Sequence, residues 1–327
     1  MFDRETSSIP CNLCQSTDVD VIARKDREGK PLQTVMCRNC ALIWTDPRPA
    51  PKEIVHFYSK SYRREYKNIV RPKKKHVYRD GLETIKRHRF FQTVAREGDT
   101  LMDIGAGNGV FVYCMRQLGF DAKGVEPDED FARYAREALG IPVITGFASD
   151  IKKTEHYDLV TLHHVLEHMT DSLAELRHLW RLLKQNGHLI IEVPNAEDIL
   201  QAPGNRYHKA HIYTFNPETL SALLTRAGFS VVTMRVAPYN GNISAIFQKK
   251  DEVWDNNTLN QNGNYAKMVR FFKRHTPIRH YTSPIPYTKL FRNLSAALRE
   301  WIAIREFHED KAMLNAVVSK YLDTRAR

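Results

Sequence analysis

A glycine-rich run at the end of an apolar segment constrains this chain more than any other feature. The run reads Leu101-Met-Asp-Ile-Gly-Ala-Gly-Asn-Gly109, so three glycines alternate with other residues directly after a strand-like stretch. Glycine permits backbone angles that are closed to other residues, and it leaves no side chain to hold a ligand away from the main chain. A second run, Gly124-Val-Glu-Pro-Asp128, places Glu126 23 positions after Asp103. Because α/β nucleotide sites bind a ribose through a carboxylate at an offset of about 20, the two runs predict a site for an adenosine-type cofactor.

The residue after the glycine run distinguishes between cofactors. A dinucleotide loop of pattern Gly-x-Gly-x-x-Gly/Ala would have a small residue where this chain has Val110. A dehydrogenase is therefore disfavoured. Beyond the run the chain reads as strands and helices in alternation, which predicts an α/β fold with a mainly parallel sheet covered by helices.

Three helices of this region carry end signals. Asp128 can cap one helix, Ser172-Leu-Ala-Glu175 has the pattern of a capping box, and Asn216-Pro217 offers a cap followed by a first-turn proline. Two strand-like runs follow, Phe229–Val236 and Asn242–Gln248.

Four successive segments resemble motifs of class I S-adenosylmethionine-dependent methyltransferases. They are Leu101–Gly109, Gly124–Asp128, Tyr157–His168 and His188–Asn195, and the resemblance covers roughly residues 80 to 250. It implies a Rossmann-like sheet of seven strands, mainly parallel with one antiparallel strand. It also implies a set of residues that bind S-adenosyl-L-methionine. These are Asp103, Gly105, Gly107 and Gly109 around the methionine half, Glu126 at the ribose hydroxyls and Phe147 near the adenine.

Four of the five cysteines form two closely spaced pairs. Cys11 and Cys14 form the first pair, Cys37 and Cys40 form the second, and 22 residues separate the pairs. Two such pairs offer four thiolates to a tetrahedral ion, which predicts a structural Zn²⁺ site. Disulfides would need an oxidising compartment, and a single redox-active pair would leave the other unexplained. Cys114 is expected to be a small buried residue.

These features predict four regions in the 327 residues. They are a zinc-binding module at 1–50, a basic helical cap or linker at 51–98, a methyltransferase core at 99–250 and a helical extension at 251–327. Between Lys60 and Arg89 twelve lysines and arginines stand against three acids, so this basic run supplies +9 of the formal net charge of +11. The basic run is interpreted as a solvated helix face, a clamp for an anionic substrate, or a contact with nucleic acid or lipid.

The C-terminal extension shows a helical spacing of apolar residues at Leu290, Leu294, Leu298 and Trp301. We expect a helix from about residue 287 to 306 that packs on the core or forms a homodimer. A contact of Arg270–His275 with an anionic membrane leaflet stays open. The sequence shows no transmembrane run and no secretory signal, so a cytoplasmic protein is the expectation.

Four histidines follow two of the predicted strands. His163 and His164 end the fourth strand of the core, and His208 and His211 lie in the loop after the fifth. Ligands of open α/β sheets lie at the carboxyl edge of the strands, so these histidines are candidate bases for an acceptor hydroxyl. The alternative for each is a hydrogen-bonded structural histidine.

A divalent cation is another interpretation of this region. On a helix, His164, Glu167 and His168 would share one face within reach of a single ion. The segment resembles the Glu-x-x-Glu-His stretch of ubiquinone-pathway O-methyltransferases, some of which use a divalent cation, with His164 in place of the first glutamate. A helix start with packing and capping roles is the alternative.

Three functions fit these features. The cysteine module and the stretch Met36–Pro49 resemble sugar methyltransferases of deoxysugar and surface-polysaccharide pathways. Members that methylate carbon carry a long additional C-terminal domain, for which the roughly 75 residues after Lys250 are too few. Methylation of oxygen on a small-molecule or glycan acceptor that carries phosphate is therefore favoured, with a histidine as base and polysaccharide biosynthesis as the setting.

The other two functions stay as alternatives. An RNA methyltransferase would use the zinc module and the basic run to bind nucleic acid, but no Asn-Pro-Pro-Tyr-like motif follows the fourth strand, where the chain has His163-His-Val-Leu. A non-catalytic zinc-containing scaffold would keep only the cofactor pocket.

Overall fold

The computed structural model describes residues 3–6, 9–58, 71–250, 263–288 and 300–325. Residues 60–70 of the basic run and most of the helix predicted near Leu294 therefore lie outside the described residues. The chain forms two compact units, each assembled from three segments. The first unit contains residues 1–51, 163–180 and 191–291, and the second contains residues 52–162, 181–190 and 292–327. The four regions inferred from the sequence stay predictions.

The first unit contains a five-stranded antiparallel sheet with the strand order β1-β2-β3-β4-β10. Its strands are β1 (Asp3–Thr6), β2 (Asp18–Lys25), β3 (Pro31–Cys37), β4 (Ile43–Thr45) and β10 (Tyr213–Thr214). The cysteine pairs belong to this sheet region, since Cys37 is the last residue of β3. Val35, Met36 and Trp44 are buried in its core.

A seven-stranded sheet has the order β11-β12-β9-β8-β5-β6-β7. Its strands are β5 (Thr100–Ile104), β6 (Asp121–Glu126), β7 (Val143–Thr145), β8 (Tyr157–His163), β9 (Leu183–Val193), β11 (Phe229–Val236) and β12 (Ile243–Lys249). β5 pairs in parallel with both β6 and β8, and β11 pairs antiparallel with β12. Leu101, Leu159 and Leu162 are fully buried, as expected for strands covered on both faces. The predicted Rossmann-like fold is confirmed.

Among the described residues, nine α-helices of six to eighteen residues accompany the sheets. They are α1 (Pro51–His56), α2 (Lys74–Phe91), α3 (Val110–Gln117), α4 (Glu129–Glu137), α5 (Ser172–Leu182), α6 (Pro217–Arg226), α7 (Asn264–Arg274), α8 (Pro277–Thr282) and α9 (Asp310–Arg325). The carboxylate of Asp128 accepts from the Phe131 N–H at 3.0 Å, and Asn216 accepts from the Thr219 N–H at 2.9 Å, so both predicted caps form. Within the described ranges, no helix is long and apolar enough to cross a membrane.

Two helix predictions need correction. The cap of α5 is Asp171, whose carboxylate accepts from the Ala174 N–H at 3.0 Å, and the Ser172 hydroxyl is buried without a hydrogen bond to the described residues. Residues Leu166–His168 form a single 3₁₀ turn. The helix expected to carry His164 and His168 on one face is therefore absent from this described segment.

Candidate functional site

The glycine-rich run forms a tight turn between β5 and α3 in the second unit. Gly105, Gly107 and Gly109 have φ angles of 70°, 57° and 76°, which lie in the left-handed region that favours glycine. A Cβ on Gly109 would lie 2.7 Å from the Cβ of Ala135. The Gly105 N–H donates to the Val125 carbonyl at 2.8 Å, which ties the turn to β6. The backbone conformation thus favours glycine at all three positions, and close packing adds a second requirement at Gly109.

Two buried carboxylates flank this turn. Glu126, at the end of β6, accepts from the Gly107 N–H at 2.7 Å and from the Asp128 N–H at 3.1 Å. Asp103, in β5, accepts from the Thr161 hydroxyl at 2.6 Å. Glu126 is only 5% exposed and Asp103 only 3%. Glu126 therefore fixes the conformation of the glycine turn, a role that spacing alone did not indicate.

The remaining residue predicted near the cofactor follows β7. Phe147 is half-buried, and its N–H donates to the Asp150 carboxylate at 2.8 Å. Because β5, β6 and β7 are parallel neighbours, their carboxyl ends lie on one edge of the sheet. The structure thus brings the six predicted cofactor residues to that edge, within the second unit.

Asp80 of α2 also holds the glycine turn in place, a role that the sequence did not indicate. Its carboxylate accepts from the side-chain amide of Asn108, in the glycine turn, at 2.6 Å. The Asn108 carbonyl oxygen in turn accepts from the Val110 N–H at 3.2 Å. Asp80 lies 28 positions before Asn108, in a mainly basic run, so no local pattern links the two residues.

The histidines lie in the first unit. His163 is half-buried as the last residue of β8, and His164 has a left-handed φ of 58°. His208 and His211 follow β9, as predicted, in the loop that leads to β10. The ring centroids of His208 and His211 are 3.9 Å apart, and those of His168 and His211 are 4.9 Å apart. His168, His208 and His211 therefore form one cluster.

Glu167 is the anionic member of this region. It is 1% exposed, and neither of its carboxylate oxygens accepts a hydrogen bond from the described residues. Oε1 lies 3.5 Å from His164 Nδ1 and 3.9 Å from His168 Nε2. A buried carboxylate needs a nearby cation, and here imidazolium or a metal ion could serve.

His164 supplies one such cation. Its Nε2 lies 3.0 Å from Glu192 Oε1, so carboxylates approach both ring nitrogens. Burial opposes protonation, but Glu167 and Glu192 outweigh it and raise the pKa of His164 to about 9. His164 is therefore an imidazolium at neutral pH.

His168 and His211 differ from His164 in their surroundings. His168 Nδ1 donates to the Ala210 carbonyl at 2.6 Å, which leaves Nε2 directed to Glu167. Burial, together with His168 and His208, lowers the pKa of His211 well below its ordinary value, so this ring is neutral at pH 7. Ligand atoms of Glu167, His168 and His211 lie within 4.8 Å of one another. His211 thus takes the place that the sequence analysis gave to His164 in the candidate cation site.

The four paired cysteines also come together in the first unit. Their Sγ atoms lie within 4.8 Å of one another, with 3.6 Å between Cys11 and Cys40 and 3.4 Å between Cys14 and Cys37. A tetrahedral Zn²⁺ with Zn–S bonds of about 2.3 Å would separate the sulfurs by about 3.8 Å. All four are free thiols. The donor set and the spacing therefore fit Zn²⁺.

Residues 78–234 match a family model described as a methyltransferase domain. The ubiquinone biosynthesis O-methyltransferase of Paramagnetospirillum magneticum is 31% identical over 96 residues, which cover 28% of this chain and 39% of that protein. The enzyme of the same name from Bordetella avium is 25% identical over 170 residues, covering 44% of this chain and 67% of that protein. The chain thus spans only part of these relatives.

Solved structures resemble the chain more distantly. The 1,6-didemethyltoxoflavin-N1-methyltransferase of Burkholderia thailandensis is 17% identical, with a TM-score of 0.46 over 64% of this chain and 96% of that one. An S-adenosylmethionine-dependent methyltransferase of Thermotoga maritima is 24% identical, with a TM-score of 0.42 over 53% of this chain and 89% of that one.

Proposed function

We propose that the protein transfers a methyl group from S-adenosyl-L-methionine to a small-molecule or glycan acceptor. The match of residues 78–234 to a methyltransferase-domain family model supports this proposal. The turn of three left-handed glycines, held by the buried carboxylate of Glu126, is the observation that carries this proposal. Such a turn lets a ligand approach the main chain closely. When bound, the donor supplies a methyl group already activated on a sulfonium.

The second unit provides the groups that would hold this donor. Glu126 uses its two oxygens to accept two backbone N–H groups, but a carboxylate has about four acceptor positions, so it can still bind ribose hydroxyls. The turn presents main chain to the methionine half, and Phe147 offers a ring to the adenine. The proposed donor site consists of Asp103, Gly105, Gly107, Gly109, Glu126 and Phe147.

For an oxygen acceptor we assign the base to His211. Its pKa is lowered, so it is neutral at pH 7 and can take the hydroxyl proton. His164, with a pKa of about 9, is already protonated there and is assigned to balancing the charge of Glu167 and Glu192. The names of the curated relatives, which are O-methyltransferases, support oxygen as the methylated atom. His211 thus stands ahead of His163, His164 and His208.

A divalent cation is the second candidate for activating the acceptor. Glu167, His168 and His211 fit an ion, since two imidazoles and a buried carboxylate without hydrogen bonds to the described residues converge there. A bound cation would lower the pKa of an acceptor hydroxyl. His211 would then serve as a ligand instead of a base.

The acceptor is proposed to be a phosphate-bearing sugar or a related metabolite. The basic run supports an anionic acceptor, because its +9 charge would attract and hold phosphate. The polysaccharide setting rests on the cysteine module, in which Zn²⁺ would be structural because four sulfurs close its coordination sphere. We propose that the protein acts in the cytoplasm.

Methyl incorporation tests the proposal. The full chain is incubated with S-adenosyl-L-methionine labelled in the methyl group and with a cell extract, which is then fractionated. We expect label in small molecules or glycans, and loss of the label in Glu126→Gln. Label in RNA would support the nucleic-acid alternative. Absence of label, together with no calorimetric heat for S-adenosylhomocysteine, would refute a methyltransferase.

Treatment with a chelator distinguishes a mechanism with His211 as the base from one that uses a bound divalent cation. If His211 is the base, activity persists in EDTA at a concentration that leaves the cysteine-bound zinc in place, and His211→Asn removes the acidic limb of the pH profile. If a cation acts, EDTA abolishes activity and added Mg²⁺ or Zn²⁺ restores it. His178→Asn, on α5, is the matched control for both measurements.

A further inference from the structure

A concave surface of the first unit takes no part in the proposed reaction. It is a cavity of about 400 Å³ bordered by α7, α8 and the segment after β9. Ligand sites typically have volumes of about 300–1,000 Å³, so the cavity can hold a small molecule or a headgroup. Its lining contains one acid, Glu197, and four cationic side chains: Lys267, Arg270, Arg274 and Arg279.

Three of these four cations lack a balancing acid among the described residues. Lys267 Nζ lies 2.7 Å from a carboxylate oxygen of each of two glutamates, so its charge is matched. Arg270, Arg274 and Arg279 form no ion pair with any residue of the described ranges. Three guanidinium groups around one concavity raise the local positive potential, and an anion would relieve their repulsion.

Beneath the arginines lies a hydrogen-bonded aromatic layer. The Arg206 guanidinium stacks 4.9 Å from the Phe271 ring centroid and donates to His275 Nδ1 at 2.5 Å. His275 therefore carries its proton on Nε2, which donates to His280 Nδ1 at 3.2 Å. Burial and the nearby Arg206 lower the pKa of His275 to about 4, so it is neutral. This layer fixes α7 against α8 and so fixes the two helices that carry the arginines.

We infer that this cavity binds a phosphate or diphosphate group through Arg270, Arg274 and Arg279. Guanidinium groups bind phosphate oxygens in pairs, and three of them match the charge of a diphosphate better than that of a single carboxylate. Ile199 and Phe271 add an apolar wall that can contact the uncharged part of the ligand. The inference does not depend on methyl transfer, because none of the residues it uses belongs to the proposed donor site or to the cluster of Glu167, His168 and His211.

Calorimetric titration of the full chain with inorganic pyrophosphate at low ionic strength tests the inference. We expect saturable binding to the unmodified protein and a Kd raised at least about tenfold in Arg274→Ala and in Arg270→Ala, because each loses charge-assisted hydrogen bonds. Lys273→Ala removes an exposed cation of α7 that does not line the cavity, and its Kd should stay within about twofold. No binding to the unmodified protein, or equal losses in Lys273→Ala and the arginine variants, would overturn the inference.

Competition experiments distinguish a soluble phosphate ligand from a lipid headgroup. Displacement of pyrophosphate by uridine diphosphate identifies a soluble ligand. Displacement by phosphatidylcholine vesicles that contain phosphatidylglycerol identifies a lipid headgroup, and both results support the inference. Melting temperature and S-adenosylhomocysteine binding should not change in the arginine variants, since these side chains are exposed and lie outside the donor unit. Failure of this inference is thereby separated from failure of the proposed function.

Discussion

At the end of β6, Glu126 combines a structural role with a proposed binding role. Glutamine in its place keeps the size, but one of the two backbone N–H groups would then face an amide nitrogen, which cannot accept. We expect Glu126→Gln to lose about 1–3 kcal/mol of unfolding free energy and to bind S-adenosylhomocysteine at least about tenfold more weakly. Denaturation and calorimetry measure the two effects. Asp121→Asn, an exposed acid on the same strand, should change neither; unchanged affinity in Glu126→Gln would contradict the assignment.

His88 makes the second unit sensitive to acid. It is 4% exposed, its Nδ1 lies 2.9 Å from the Tyr321 hydroxyl, and burial lowers its pKa to about 4. A lowered histidine pKa stabilises the folded state above the unfolded pKa of about 6.5, and this contribution is lost as the pH falls toward 4.

Over that window we expect the free energy of unfolding to fall by up to about 3 kcal/mol because of His88. Urea denaturation between pH 7 and pH 4 measures this slope, and His88→Phe should reduce it. His308→Gln changes an exposed histidine and should keep the slope of the unmodified protein. Identical slopes for the protein with and without His88 would refute the argument.

For single helices, local sequence signals were sufficient to predict two of the caps. Hydrogen-bond partners that are distant in sequence could not be predicted. Asp128 and Asn216 cap their helices as predicted, because a cap needs only the N–H three residues ahead. The helix predicted around His164 is wrong because this residue pairs with a strand that is distant in sequence. The His164 N–H donates to the Glu192 carbonyl at 2.8 Å, and its φ is left-handed. No local sequence pattern indicates that partner.

The contact between α2 and α9 depends on a residue without a side chain. A Cβ on Gly81 would lie 2.8 Å from Leu314 Cδ2, so the helices meet closely there. Valine would overfill this space, and we expect Gly81→Val to lose about 2 kcal/mol in thermal or urea unfolding.

Two further variants isolate the packing effect. Leu82→Val places the same β-branched residue on the exposed side of α2 and should cost well under 1 kcal/mol. Adding Leu314→Ala to Gly81→Val should recover part of the loss, because it opens the contact. Equal stability of Gly81→Val and Leu82→Val would show that α9 does not pack as described.

For the molecule as a whole, the order of elements along the chain predicted the seven-stranded sheet, and residues 78–234 match a family model described as a methyltransferase domain. The donor site stays a prediction. The sequence did not predict which chain segments make up the first unit, because its contacts join distant parts of the chain. Asn12 donates to Asp171 at 2.9 Å and accepts from the Leu173 N–H at 3.0 Å, and Arg226 donates to the Leu13 carbonyl. The first cysteine turn thus holds the start of α5 and the end of α6.

The second cysteine turn extends this connection, since Asn264, at the start of α7, donates to the Cys40 carbonyl at 2.9 Å. If Zn²⁺ holds both turns, its loss should release the helices that they anchor. We expect Cys40→Ser to lose the metal and hydrogen exchange at the starts of α5 and α7 to become at least about tenfold faster, with β5 unchanged. Mass spectrometry measures the hydrogen exchange, and metal analysis measures the zinc content. Cys114 is a buried cysteine outside the cluster, so Cys114→Ala should keep both the zinc and the slow exchange at these helix starts. Equal loss of protection in β5, or none at α5 and α7, would show that the cysteine turns do not organise the first unit.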